Sequence, residues 1–263
     1  MNEVFVTVLS ISIVFIATIF GSSLVFFFRG KLSDKLSNII IGFASGIMIS
    51  TGLFGLLLPS IEQAKQLYPN LSFLPVIIGF IVGGLFLYLL DKIVPHFHLS
   101  SDEEEGIKTN KLTKQIKFFL AVTVHNIPEG LAVGFACGLA LLTKEPTAIM
   151  GALSLAIGIS IQNIPEGSTV SIPMYESGLS KGKSFLYGMF SGIVEPIFAI
   201  VGLLLSTQID VVMPWLLAFA AGAMIYVTID ELLPSARKGE HIHCGLWGFM
   251  IGFIIMLVLE LVL

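Results

Sequence analysis

Eight long apolar runs divide this chain, and they leave it few ways to fold. They cover roughly residues 4–28, 38–63, 71–94, 114–142, 146–175, 183–206, 211–235 and 243–263. Each is long enough, at about 1.5 Å per helical residue, to cross about 30 Å of bilayer hydrocarbon. The separators are polar or turn-rich: RGKLSDK, YPN, SDEEEGIKTNK, TKEP, SGLSKGK, TQID and ARKGEH. Charged residues make up only 12% of the chain, about half the share found in a soluble domain. Hydrocarbon offers no partner to a backbone N–H or C=O, so each run must satisfy its own. The chain therefore reads as an all-α integral membrane protein, one transmembrane domain over residues 1–263, held in the lipid bilayer. The first run lacks a basic leader and a small-residue cleavage site, which predicts a retained span rather than a signal peptide. A net charge of −4 gives no reason to expect nucleic acid, and Cys137 and Cys244 make no disulfide framework.

Orientation follows from the basic residues. The connections after helices 1, 3, 5 and 7 hold Arg29, Lys31, Lys35, Lys92, Lys108, Lys111, Lys114, Lys117, Lys181, Lys183, Arg237 and Lys238. Those after helices 2, 4 and 6 hold only Lys65 and Lys144. The first set is expected in the cytoplasm, including the long loop 95–113 after helix 3, with both termini outside.

The chain also repeats itself. GFASGIMI at 42–49 in helix 2 matches AFAAGAMI at 218–225 in helix 7 at five of eight positions, and both helices are then expected to close with LLPS, at 57–60 and 232–235. Small-residue stripes are ordinary packing faces in membranes, but two matches in the same order point to duplication. Helices 2 and 7 are an odd number apart and so run in opposite directions. This predicts an inverted repeat of helices 1–3 and 6–8 around helices 4 and 5, a 3+2+3 arrangement typical of transporters.

The chemistry is concentrated in helices 4, 5 and 6. VHNIPEGLAVG (124–134) and IQNIPEGSTVS (161–171) read almost alike. In the first, His125, Asn126 and Glu129 fall on one helical face; Gln162, Asn163 and Glu166 repeat the spacing 37 residues later. Helix 6 adds GIVEP, with Glu195 followed by Pro196. A carboxylate at mid-membrane costs about 2.5–3.5 kcal/mol on insertion scales, and such residues mark ion pathways. No Lys or Arg falls at that depth in these runs, so the counter-charge is expected from outside, as a cation or as protons. Imidazole with carboxylate and amide oxygens suits a divalent transition metal; oxygens alone would suit magnesium or calcium. Pro128, Pro165 and Pro196 lack an N–H and so free the carbonyls of Val124, Ile161 and Gly192, each a candidate ligand or water anchor. A lone proline in a span is usually a packing kink, and a lone His or Asn an interhelical hydrogen bond. Three glutamates, each next to a proline, outweigh those readings.

HNIPEG, QNIPEG and VEP together resemble the ZIP family of divalent metal transporters, in particular its GufA-like branch, over the whole chain. The resemblance implies uptake of Zn²⁺ first, and also Fe²⁺, Mn²⁺ or Cd²⁺, into the cytoplasm by alternating access. It implies a two-metal centre: one position from His125, Glu129, Gln162 and Glu166, the other from Asn126, Glu129, Asn163, Glu166 and Glu195. Where some relatives carry Asp, this chain has Asn163, so the second position is expected to be weaker or regulatory. Similar proteins bind metal at the position of Asp230 and Glu231 near the cytoplasmic end of helix 7; solvated charges at a helix end are the plainer reading.

Further candidates lie outside the membrane. His96 and His98, beside the acidic run 102–105, could collect metal on the inside, and His241, His243 and Cys244 could form a weak chelator. Cys137 reads as a small packing residue and Asp91 as interfacial. No GxxxxGK[ST] loop is present, so ATP is not expected, and the metal is cargo rather than cofactor. HEXXH is absent and no Ser or Cys nucleophile accompanies a base, which argues against an intramembrane metalloenzyme. A cation channel or a metal sensor would carry the same site and differ in flux. The small-residue faces permit a homodimer. The compact chain points to a bacterial inner membrane.

Overall fold

Each of the eight apolar runs folds as a helix. The computed structural model describes residues 2–28, 33–94, 96–97, 104–105, 113–206, 210–237 and 239–262. Among these, eight helices are long and apolar enough to cross a membrane: α1 (Glu3–Phe26), α2 (Asp34–Leu67), α3 (Phe73–Ile93), α4 (Gln115–Thr143), α5 (Pro146–Glu176), α6 (Lys181–Ser206), α7 (Met213–Ser235) and α8 (Ile242–Val262). Side-chain caps start several of them. Asn2 accepts from the Val4 and Phe5 amides, Ser33 from Leu36, Thr113 from Ile116 and Ser180 from Lys183.

Three details depart from the sequence expectation. LLPS ends α7 but not α2, which runs on to Leu67. Proline is tolerated in the first turn of a helical segment, and the extension after Pro59 is amphipathic, burying Ser60 and Ala64 while Glu62, Lys65 and Gln66 face out. Next, α6 is broken: helix covers Lys181–Ser191 and Val194–Ser206, with a turn at Gly192 and Ile193. Finally, Lys117, assigned above to the loop, is buried in the first turns of α4.

The matched helices share a further feature. A π-helical stretch, Thr51–Leu57 in α2 and Thr228–Leu232 in α7, stands immediately before each LLPS proline. A proline ring clashes with the carbonyl four residues back. The wider i→i+5 turn moves that carbonyl aside, so each helix reaches its proline without the clash, and α2 continues past it.

The helices associate in close pairs: α1 with α5, α2 with α8, α3 with α7, and α4 with α6. Glycines make the pairs close. Gly42 and Gly46 of α2 lie against the backbone of Gly245 and Phe249 in α8. Gly79 and Gly83 of α3 lie against Trp215 and Phe219 in α7, and Gly130 and Gly134 of α4 against Glu195 and Ala199 in α6. Helix association in lipid lacks a hydrophobic drive and relies on such close backbone contact. Two groups result, α1–α4–α5–α6 and α2–α3–α7–α8, meeting where α5 crosses α2 and α4 crosses α7. Helix α4 is central, with 72% of its most apolar stretch buried against 22% for α3 and α8. The outer helices expose Ile16, Ile81, Leu204 and Trp247, among others, as lipid-facing surfaces.

In the loop after α3, a two-residue antiparallel ladder joins β1 (His96–Phe97) to β2 (Glu104–Glu105), with His96 opposite Glu105. His98 and residues 102–103 of the acidic run lie outside the described residues.

Candidate metal site

The two hexamers meet inside the first group of helices. Helix α4 continues unbroken through Pro128 and α5 through Pro165, so the ionisable residues stay on regular helical faces. Glu129, Asn126, Gln162, Asn163 and Glu195 are all at most 1% exposed. His125 and Glu166 are partly buried.

A small cavity of about 30 Å³ is lined by His125, Glu129 and Glu166, with Glu231 on its α7 side, and bounded by Met48, Val122 and Val227. That volume exceeds the roughly 10–15 Å³ one water needs. Its lining contains three carboxylates and an imidazole, and no Lys or Arg. Four buried polar atoms here make no hydrogen bond: His125 Nε2, Glu129 Oε2, Gln162 Oε1 and Asn126 Oδ1. A buried polar group left unpaired costs about 1–3 kcal/mol. Orphaned oxygens and an imidazole nitrogen beside a carboxylate-lined cavity are the donor set a divalent cation would complete. The atoms do not close into a cage. Among the described residues no three His, Cys, Asp or Glu side chains stand at ligating distances from one point.

Glu195 has different surroundings. Its Oε1 accepts from the Thr18 hydroxyl at 2.9 Å and from Asn126 Nδ2 at 3.2 Å, and its Oε2 accepts from Asn163 Nδ2 at 2.8 Å. Asn126 Nδ2 also donates to the Ser191 carbonyl at 3.2 Å, and Asn163 Nδ2 approaches Val14 O at 3.2 Å and Thr18 Oγ1 at 3.0 Å. Asn163 Oδ1 in turn accepts from Gln162 Nε2 at 2.7 Å. The Gly192 carbonyl, expected to be freed by Pro196, instead accepts the Glu195 N–H at 3.1 Å, because the chain turns there.

The remaining candidates separate. Glu231 is 2% exposed and reaches the cavity, whereas its neighbour Asp230 is exposed. Asp91, near the end of α3, is buried, with Oδ1 3.6 Å from His125 Nε2. The sequence signal for it was available, since Asp91 ends an otherwise apolar span, but nothing in the chain tied it to His125. Thr18 was missed outright, because a threonine in a span carries no signal of its own. Cys137 is buried and free, as a packing residue would be. His241 and His243 are exposed and form no metal-holding group with Cys244.

The profile of the family described as ZIP Zinc transporter matches residues 98–260, more than half of the chain. The chain belongs to the ZIP family. It is similar to the zinc transporter GufA of Myxococcus xanthus, 36% identical over 88% of this chain and 89% of that protein. It is also similar to the zinc transporter ZupT of Clostridium perfringens, at 33% identity over 98% and 96% of the two chains. With the zinc transporter ZIP11 of Xenopus tropicalis it shares 31% identity over 91% and 92%. These ZIP relatives are named as transporters, not as enzymes, in line with the absence of a nucleophile–base pair in the two hexamers.

Proposed function

We propose that this ZIP-family protein moves divalent transition metal, Zn²⁺ first, across the membrane into the cytoplasm by alternating access. The observation that carries the proposal is the cavity in which His125, Glu129, Glu166 and Glu231 converge without a basic side chain. Buried carboxylates need a partner, and a mobile cation supplies one. The seat for the ion is His125, Glu129, Gln162 and Glu166. Of the second position implied by the resemblance, Glu129 and Glu166 are shared with that seat, and Asn126, Asn163 and Glu195 adjoin it as a hydrogen-bonded cluster with Thr18. Fe²⁺, Mn²⁺ and Cd²⁺ are further cargoes for the same donor set, since imidazole and carboxylate accommodate each of them.

The two helix groups support a carrier rather than a channel. Every hexamer residue and Glu195 lie in α1–α4–α5–α6, while Met48, Val227 and Glu231, which face the same cavity, lie in α2–α3–α7–α8. Sliding one group past the other would take the seat with it. The pairing scheme also supports an inverted 3+2+3 repeat. Exchanging helices 1–3 with 6–8, and 4 with 5, turns the α1–α5 pair into α6–α4 and the α2–α8 pair into α7–α3, which are the pairs observed. In this reading the chain is one transporter domain in a bacterial inner membrane, with termini outside and the loop after α3 in the cytoplasm. Glu231 and Asp91 lie on the inward path. The basic residues of the odd-numbered connections support that orientation.

Uptake of ⁶⁵Zn²⁺ into proteoliposomes tests the proposal. Saturable uptake by the intact protein, abolished by Glu129→Ala and by Glu166→Ala, is expected. Background uptake from all three proteins would refute transport, and large single-channel currents would replace the carrier with a channel.

A further inference from the structure

Glu195 is the most completely satisfied carboxylate in the site. Three donors from three other helices reach it: Thr18 from α1, Asn126 from α4 and Asn163 from α5. It sits in the first turn of the second α6 segment, Val194–Ser206, where the helix dipole adds positive potential. The orientation of both amides is dictated by what they face. Asn126 Nδ2 lies against two acceptors, the Ser191 carbonyl and Glu195 Oε1, and Asn163 Nδ2 against the Val14 carbonyl and Glu195 Oε2. Only the NH₂ end of an amide can occupy those places. A cation among Asn126, Asn163 and Glu195 would therefore meet N–H groups on the Glu195 side, with only Asn126 Oδ1 left over among the two amides and Glu195 to face it.

We propose that Glu195 is a positioning residue and not an ion ligand: with Thr18, Asn126 and Asn163 it forms a hydrogen-bonded anchor joining α1, α4, α5 and α6, and the adjoining seat holds one ion per chain. This rests on the ion seat proposed above and deepens it. The anchor accounts for Asn at 163. An aspartate there has no proton to give and would set a second carboxylate 2.8 Å from Glu195 Oε2. It also reaches the seat. Asn163, held by Glu195, accepts from Gln162 at 2.7 Å, and the Gln162 side chain lies beside both Glu129 and Glu166. Partners that orient metal ligands in this way typically govern about 10–100-fold in affinity.

Two measurements test it. Equilibrium dialysis of the purified full-length protein against ⁶⁵Zn²⁺ counts the ions lost on Glu129→Ala with Glu166→Ala. One per chain is expected, and two would overturn the proposal. Zinc affinity is then compared across anchor variants. Glu195→Gln places NH₂ against NH₂ at Asn163 and is expected to raise the KM for uptake about tenfold, with the maximal rate little changed. Combining Glu195→Gln with Asn163→Asp restores the amide–carboxylate bond with its ends exchanged, and is expected to bring KM back to within about threefold of the intact protein, a fraction of that range. An unchanged KM in the single variant, or no recovery in the exchange, would overturn the anchor. Dissociation constants from the same dialysis carry the comparison if the intact protein binds zinc without moving it, so failure of transport and failure of the anchor are read separately.

Discussion

Alanine at Gly130 will separate α6 from α4, and the structure sets the size of the effect. A Cβ at this position would stand 2.5 Å from the Glu195 carbonyl oxygen and 3.0 Å from its Cα. Ordinary contact begins near 3.4 Å, so the α6 backbone must retreat by about 0.9 Å, on the steric distances of close-packed atoms. The bond from Asn126 Nδ2 to Glu195 Oε1 is already 3.2 Å, and a shift of that size takes it out of hydrogen-bond range. Overpacking costs about 1–3 kcal/mol and a lost bond to a charged group about 1.5–3. Alanine returns up to about 1 kcal/mol of helix propensity. The net expectation is a loss of about 3 kcal/mol, measured by reversible SDS unfolding in mixed micelles. Gly151→Ala is the control, because nothing lies within 4 Å of its Cβ position; it is expected to be neutral or to gain up to about 1 kcal/mol. Equal stability of the two variants would refute the idea that α6 needs a bare α4 backbone at Gly130.

Other consequences follow from the same geometry. Glu231→Gln removes a carboxylate from the cavity lining and is expected to raise the KM for zinc about tenfold, whereas Asp230→Asn, on the exposed face of α7, leaves uptake within about twofold, as surface changes do. Similar KM values for the two would mean that the cavity face of α7 is irrelevant. Asp91→Asn, which alters the group facing His125 Nε2 at 3.6 Å, is expected to slow uptake while the dialysis count stays at one. A roughly hundredfold excess of Mg²⁺ or Ca²⁺ will leave zinc uptake nearly unchanged and Cd²⁺ will suppress it, since an imidazole-bearing site favours the softer ions; inhibition by Mg²⁺ would count against His125 as a ligand.

The spans were legible because their signal is additive: about twenty apolar residues in a row leave only one backbone solution in lipid. The hexamers were legible because helical spacing alone puts His125, Asn126 and Glu129 on one face. What the sequence hid depends on crossings between helices. Asp91 reads as the polar end of α3 until α4 is placed beside it with His125 in reach. Thr18 is an ordinary residue in α1 until α1 and α6 both lie against α5, and then its hydroxyl bonds the buried Glu195. The expected freeing of the Gly192 carbonyl failed for a local reason. Proline rules assume a continuing α-helix, and at Gly192 the chain turns, so the Glu195 amide takes that carbonyl. The second LLPS stopped a helix and the first did not, since the residues after Pro59 keep an amphipathic pattern and those after Pro234 lead directly into a turn.

The glycine that closes each hexamer gives the motif a second meaning. Gly130 lies under the backbone of Glu195, and Gly167 under the backbone of Thr18. Each hexamer thus carries cavity-lining groups and, one residue after its glutamate, a bare patch where a partner helix docks. Docking at Gly130 delivers Glu195, and docking at Gly167 delivers Thr18; the two side chains then meet at 2.9 Å. The two slots are alike in shape and unlike in what they deliver, an acid from α6 and a hydroxyl from α1. A second acid in place of Thr18 would face Glu195 with only Asn163 Nδ2 between them, at the cost of burying another charge. The threonine hydroxyl instead donates to Glu195 alongside Asn126 and Asn163, while Glu129 and Glu166 line the neighbouring cavity.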